Sequence, residues 1–421
     1  MSRLSEMIRE MCPDGVEYRK LGEILSRHKG IAITAGRMKE LHTPNGEIRI
    51  FAAGNTYADV MESDVDRDGI IREPAIIVKS RGNIGFEYYT KPFSHKNEMW
   101  SYTTDHAFIS LKYVYYVLEQ NMAYFQNKAK TGKLPQISIS DTENYELPLP
   151  PLPIQNEIVK LLDNFTELTA ELTAELLLRK KQYNFYRDAL LTFARADDTI
   201  VQTDRQTDRQ TQIIGKIGLL KKSVEVEWKT LRDVSVHICS GGTPTASNSA
   251  YYSGDIPWLR TQEIDWTDIY DTDVKISEEG LKNSSARWIP ANCVIIAMYG
   301  ATAAKAAINR IPLTTNQACC NLEINENVAV YKYVYHWVCS QYEKLKSRGQ
   351  GSQSNINKKI IEEYPIPIPP LETQAKIVSI LDRFDALTSD LTQGLPAEIA
   401  ARRKQYEYYR DTLLTFRRKG A

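Results

Sequence analysis

The chain is duplicated. Tyr145 to Phe165 read YELPLPPLPIQNEIVKLLDNF and Tyr364 to Phe384 read YPIPIPPLETQAKIVSILDRF, an offset of 219 that carries Pro148, Pro150, Pro151, Gln155, Asp163 and Phe165 onto identical residues. Further on, KKQYNFYRDALLTF (Lys180 to Phe193) matches RKQYEYYRDTLLTF (Arg403 to Phe416) at an offset of 223. A weaker match at an offset of 210 aligns Val16 to Leu21 with Val226 to Leu231. Each half therefore has the same order: a lead-in, a divergent segment, a proline-rich joint and a long helical segment. An internal repeat of this kind predicts two similar folded units.

The helical segments carry their own period. Ile158, Leu161, Phe165, Leu168, Leu172, Leu176, Tyr183, Tyr186, Leu190 and Phe193 recur mostly at steps of three and four, as do Ile377, Ile380, Phe384, Leu387, Leu391, Ile399, Tyr406, Tyr409, Leu413 and Phe416. Two such seams are expected to pack on each other. The proline joints, Pro148 to Pro153 and Pro365 to Pro370, stop the preceding element and let each helix start cleanly. Gln155 to Phe193 makes a helix on the order of 60 Å long. The second is expected to break at Thr392-Gln393-Gly394-Leu395-Pro396.

Two tetrapeptide repeats stand out. Thr169-Ala170-Glu171-Leu172 is followed at once by Thr173-Ala174-Glu175-Leu176, and four residues lengthen a helix by about 6 Å. Thr203-Asp204-Arg205-Gln206 and Thr207-Asp208-Arg209-Gln210 have no apolar residue, and 197–212 reads as a linker. The divergent segments read as mixed α/β. Ile48 to Phe51, Pro74 to Val78 and Cys293 to Ala297 are predicted strands; Lys112 to Lys130 and Tyr331 to Arg348 are predicted helices rich in Tyr and Phe, each followed by a glycine-bearing loop.

Signatures of catalysis are missing: no GxxxxGK[ST], HExxH, GxSxG or [DN]PP[YFW] occurs. Asp64 to Gly69 matches the start of a calcium loop, but Ala75 stands where the bidentate carboxylate belongs, so it reads as an acidic turn. The six histidines are scattered, and the six cysteines lack C-x-x-C spacing and read as reduced structural residues. Arg81-Gly82-Asn83-Ile84-Gly85 reads equally as a turn after a strand or as a backbone-cradling nucleic-acid loop. No apolar run approaches the roughly 18 residues of a membrane span, and a cytoplasmic protein is expected.

Charge argues against the simplest nucleic-acid binder. The chain holds 53 Lys+Arg and 53 Asp+Glu, and the balance persists locally: 17 basic and 17 acidic residues over 15–150, 14 and 15 over 226–371. Binding DNA then requires local segregation of charge.

The duplicated PLPPLPIQNEIVKLLDNF and IPIPPLETQAKIVSILDRF, the KKQYNFYRD and RKQYEYYRD ends, and Gly241-Gly242-Thr243-Pro244 leading to Ile256-Pro257-Trp258 resemble the specificity subunits of type I restriction-modification enzymes. The resemblance covers nearly the whole chain, and the Thr-Ala-Glu-Leu repeat points to the branch that carries it in the central helix. It implies an α+β fold with a pseudo-twofold duplication. Two mixed α/β target recognition domains (1–150 and 226–370) are held apart by a long antiparallel two-helix coiled coil (151–196 and 371–421), with a linker at 197–225. It also implies a non-catalytic subunit that reads a bipartite, asymmetric site in double-stranded DNA. Expected partners are two copies of a methylation subunit using S-adenosylmethionine, and restriction subunits using ATP and Mg; no cofactor or metal is expected on this chain, and no membrane. The rival reading is a non-catalytic coiled-coil adaptor with two protein-binding domains.

Candidate DNA contacts are chosen by chemistry: Arg and Lys reach guanine edges or phosphates, and Asn or Gln pairs with adenine. In the first domain they are Lys79, Ser80, Arg81, Asn83, Lys130 and Lys133; in the second, Arg260, Thr261, Gln262, Arg348, Gln350 and Gln353. For Trp258 and Tyr299 the ordinary expectation is core packing.

Overall fold

The computed structural model describes residues 2–129, 134–193, 226–349, 355–389 and 393–420. The chain divides into two compact units, residues 1–173 with 398–421, and residues 174–397. The first contains β1 (Glu17–Lys20), β2 (Ser26–Lys29), β3 (Ile48–Phe51), β4 (Tyr57–Val60), β5 (Ala75–Lys79), β6 (Gly85–Tyr89), β7 (Phe93–His95), β8 (Trp100–Thr103) and β9 (Glu146–Leu149). They form a four-stranded sheet in the order β2-β8-β5-β6, a three-stranded sheet β4-β3-β7, and the ribbon β1-β9.

The second unit repeats the plan. It contains β10 (Glu227–Thr230), β11 (Ser235–Ser240), β12 (Ile256–Leu259), β13 (Asp268–Ile269), β14 (Lys275–Ile276), β15 (Trp288–Ile289), β16 (Val294–Ala297), β17 (Ala306–Asn309), β18 (Leu313–Thr315), β19 (Cys319–Ile324) and β20 (Pro365–Ile368). Their sheets are β11-β19-β16-β17-β13 and β14-β12-β18-β15, with the ribbon β10-β20. The predicted strands thus appear as β3, β5 and β16, and each predicted Tyr-rich helix is two short ones, Leu111–Gln120 with Met122–Lys128 and Tyr331–Ser340 with Tyr342–Ser347. At the first break the Asn121 side chain donates to the Val117 carbonyl at 2.8 Å, a local bond that competes with helix continuation.

Apolar runs without alternation mark strands covered on both faces. In β5, Ile76 and Val78 enter the core beneath the helix pair, whereas Ala75 and Ile77 enter a second cluster with Phe51, Phe93 and Met99. β16 divides likewise: Val294 and Ile296 go one way, Ile295 and Ala297 the other.

The letters shared by the two halves lock each proline joint to its domain. Gln155 is fully buried; its Oε1 accepts from the Ser110 N–H at 2.8 Å, and its Nε2 donates to the carbonyls of Phe108 (3.1 Å) and Pro150 (2.7 Å). Gln374 repeats this with Val330 N–H (2.9 Å), Val328 (3.3 Å) and Pro369 (2.8 Å). The hydroxyls of Tyr113 and Tyr333 donate to the carbonyls of Pro148 and Pro367. Asp163 takes Lys112 and Tyr116, and Asp382 takes Lys332 and His336, so one half has a phenol where the other has an imidazole.

The central helix, Leu152–Leu191, has 40 residues and contributes to both units. The other helical segment is two helices, Leu371–Ser389 and Leu395–Leu413, separated where a break was expected; residues 390–392 of that break lie outside the described residues. In the first unit Phe165 stacks on Tyr409 with ring centres 5.1 Å apart. The second has the matching stack of Tyr186 on Phe384 at 5.3 Å. Residues 398–421 join the first unit because Leu413 and Leu414 bury in its core, and the Lys419 N–H donates to the Val16 carbonyl at 2.9 Å. The boundary between the compact units falls within the central helix and near the start of Leu395–Leu413. No helix among the described residues is long and apolar enough to cross a membrane, and in the Asp64 to Gly69 stretch Asp64 ends one short 3₁₀ turn and Arg67–Gly69 form another.

One buried group makes the first unit acid-sensitive. His95 on β7 is 1% exposed; its Nε2 lies 3.0 Å from the Ser101 hydroxyl, and its Nδ1 3.3 Å from the Lys96 carbonyl. Burial pushes its pKa down from 6.5 to about 4, against the Lys96 hydrogen bond. The unfolded chain then binds the extra proton first, so stability is complete above about pH 6.5 and declines as pH falls toward 4, by about 3 kcal/mol. Urea unfolding across this range is expected to show that slope, and His95→Gln to flatten it; a variant with the wild-type profile would contradict the assignment.

Candidate nucleic-acid interface

Two equivalent hairpin tips stand out in the two units. β5 and β6 pair antiparallel from Ala75↔Tyr89 to Lys79↔Gly85, leaving Ser80 to Ile84 as the turn. Gly82 has φ of +77°, the left-handed region that glycine enters without strain. Its N–H donates to the Pro135 carbonyl at 2.9 Å, and the Ile137 N–H donates to the Ser80 carbonyl at 3.0 Å. In the second unit β16 and β17 make the corresponding hairpin, paired from Val294↔Ile308 to Ile296↔Ala306 with a longer tip. Gly300 has φ of +79°, its N–H donates to Asn355 Oδ1 at 3.2 Å, and the Ile356 N–H donates to the Met298 carbonyl at 2.9 Å. Each tip is thus hydrogen-bonded to the stretch that comes after the Tyr-rich helix pair.

The candidate contacts fall into three groups. Arg81 and Asn83 are accessible at the first tip, and Gln262, with half-buried Thr261, is accessible on a 3₁₀ turn that packs against Gly300–Thr302. Lys79, Ser80, Arg260 and Arg348 are engaged within the protein. Lys79 pairs with Glu87 at 2.7 Å. Ser80 is fully buried and donates to the Glu98 carbonyl, so it braces the tip and is not presented to a ligand. Arg260 faces Glu263 (3.5 Å) and Asp273 (3.9 Å). Arg348 lies 4.5 Å over the Tyr364 ring, whose hydroxyl is raised by burial against the opposing effect of this cation. Lys130, Lys133, Gln350 and Gln353 lie outside the described residues.

Local neutrality is structural. Lys305 pairs with Asp265 at 2.5 Å, Arg310 with Asp268 at 2.7 Å and Lys275 with Asp271 at 3.2 Å, so cations around the second domain are covered by nearby acids. Trp258 is core as expected, its indole N–H donating to the Gly242 carbonyl at 2.9 Å. Tyr299 is not core: it is 42% exposed at the second tip. Sequence reasoning missed it because the two tips share only their glycine.

A family model for the type I restriction modification DNA specificity domain matches residues 13–179 and again 223–401. The chain belongs to this family. Its two DNA specificity domains coincide with the two halves of the duplication. The chain is 34% identical to the specificity subunit of the Escherichia coli type I restriction enzyme EcoR124I/EcoR124II, over 99% of this chain and 98% of that one. The fold is similar to that of a Mycoplasma genitalium type I restriction-modification S subunit, with a TM-score of 0.61 at 17% identity, covering 95% and 96% of the two chains. A second solved chain, from work on complex assembly and conformational transition of the type I R-M system, gives 0.53 at 14% identity, covering 96% and 98%.

Proposed function

We propose that this chain reads DNA sequence for a type I restriction-modification complex and performs no chemistry itself. The observation that carries the reading is the specificity-domain match occurring twice, once per half, in a chain whose full length aligns with a specificity subunit. Each domain reads one half of a bipartite, asymmetric site, much as paired DNA-binding units set half-site spacing by geometry. The helical segments pair as an antiparallel coiled coil that acts as a ruler; the Phe165–Tyr409 and Tyr186–Phe384 stacks support that pairing. Two methylation subunits supply S-adenosylmethionine chemistry, and restriction subunits supply the ATP- and Mg-dependent step.

Methylated adenines mapped genome-wide in cells carrying the three-gene set test this. Methylation at one bipartite motif that vanishes when this gene is removed is the expected result. The same methylation without the chain, or none with it, favours the adaptor. Salt-sensitive, sequence-selective retention of duplex DNA by the chain with its methylation partner is the matching result in solution.

A further inference from the structure

We propose that Arg81 and Tyr299 are matched base-contacting positions, one for each half of the site. The proposal rests on the DNA-reading function above and assigns it to two side chains. Four observations lead there. The residues are topologically equivalent: each comes after a residue whose carbonyl accepts from the partner stretch (Ser80 from Ile137, Met298 from Ile356), and each precedes a left-handed glycine (Gly82, Gly300). Each is exposed between anchored flanks, because Ser80 and Ile84 are buried around Arg81, as Met298 and Ala303 are around Tyr299.

Neither side chain is occupied among the described residues. Among the described residues Arg81 makes no ion pair and Tyr299 no ring contact, in a surface where Lys79, Arg260, Lys305 and Arg310 are all covered by acids. A tip held by its flanks, with an end that has no partner among the described residues, is already organised for a contact, which limits the ordering cost of binding. Finally, the scaffold of the tip is kept between the halves while the residue at its end changes from guanidinium to phenol. An asymmetric site requires that combination of the same support and different chemistry. Arginine forks onto guanine O6 and N7, whereas a tyrosine hydroxyl donates or accepts and its ring covers an apolar base edge.

The test uses the full gene set in cells, with adenine methylation mapped for wild type, Arg81→Ala and Tyr299→Ala. Each variant is expected to relax or lose one base position in its own half-site, discrimination there falling roughly 10- to 100-fold, while the other half is read as before. Arg81→Lys and Tyr299→Phe provide the same readout with milder changes if an alanine variant does not assemble. Arg81→Lys is expected to keep methylation but relax the guanine position, since a point charge does not fork. An unchanged motif from the variants of both tips overturns the assignment, as does a change in the same half-site from both. A wild-type chain that yields no bipartite methylation brings down the DNA-reading function instead.

Discussion

Replacing Gln155 by alanine is expected to cost about 3 kcal/mol of local stability around the first proline joint, because three backbone groups lose their partner at once. The Ser110 N–H stands at the start of the helix Leu111–Gln120, and the Phe108 and Pro150 carbonyls lie on either side of the gap that the amide bridges. The Gln155 side chain is itself fully buried, and its bond to the Pro150 carbonyl is the most enclosed of the three. Gln155→Met separates hydrogen bonding from packing: methionine is of similar size but satisfies none of the three groups, so it is expected to be nearly as damaging. Hydrogen exchange gives the readout, with faster exchange expected over Leu111 to Leu118 for Gln155 variants and over Tyr331 to Val338 for the same changes at Gln374. Unchanged protection in both places would mean that water replaces the amide at little cost.

Deleting Thr169 to Leu172 has the largest expected effect on function. The cut keeps the helical pattern, since Thr173-Ala174-Glu175-Leu176 slides into its place and Leu168 is again followed by a half-buried Leu four residues on. It shortens the central helix by about 6 Å and rotates the remainder of that helix by about 40°. If the helix is the ruler, methylation at the original sites is lost almost completely. New sites then appear with the same two half-sites and one or two fewer unread base pairs, because 6 Å is a little under two steps of 3.4 Å. Sequencing of methylated adenines reads this directly, and the original spacer surviving the deletion would remove the ruler.

The repeat made the fold legible because a duplication reports which letters both halves need. Pro148, Gln155 and Asp163 stood out as shared residues, and all three prove to be bonding partners at the joint. Strands β3, β5 and β16 were visible as short apolar runs between turn residues. The interface was much less legible. Lys79 looks free in sequence, yet its acid stands eight residues later on the far strand of a hairpin, and Arg260 faces Asp273 in the next loop as well as Glu263 in its own turn. Ser80 looks like a polar loop residue, but the hairpin turns it inward to the Glu98 carbonyl. Tyr299 lies beside an apolar strand and reads as core, and only the shared glycine conformation and partner bonds reveal it as the counterpart of Arg81.

The uneven way in which the units use the chain bears on synthesis at the ribosome. The second unit is contiguous, residues 174–397, whereas the first needs Leu413 and Leu414 in its core and the backbone around 417–419 beside Val16. The half translated first is therefore the half completed last. Until residues 398–421 emerge, the part of its core that Leu413 and Leu414 fill stays uncovered.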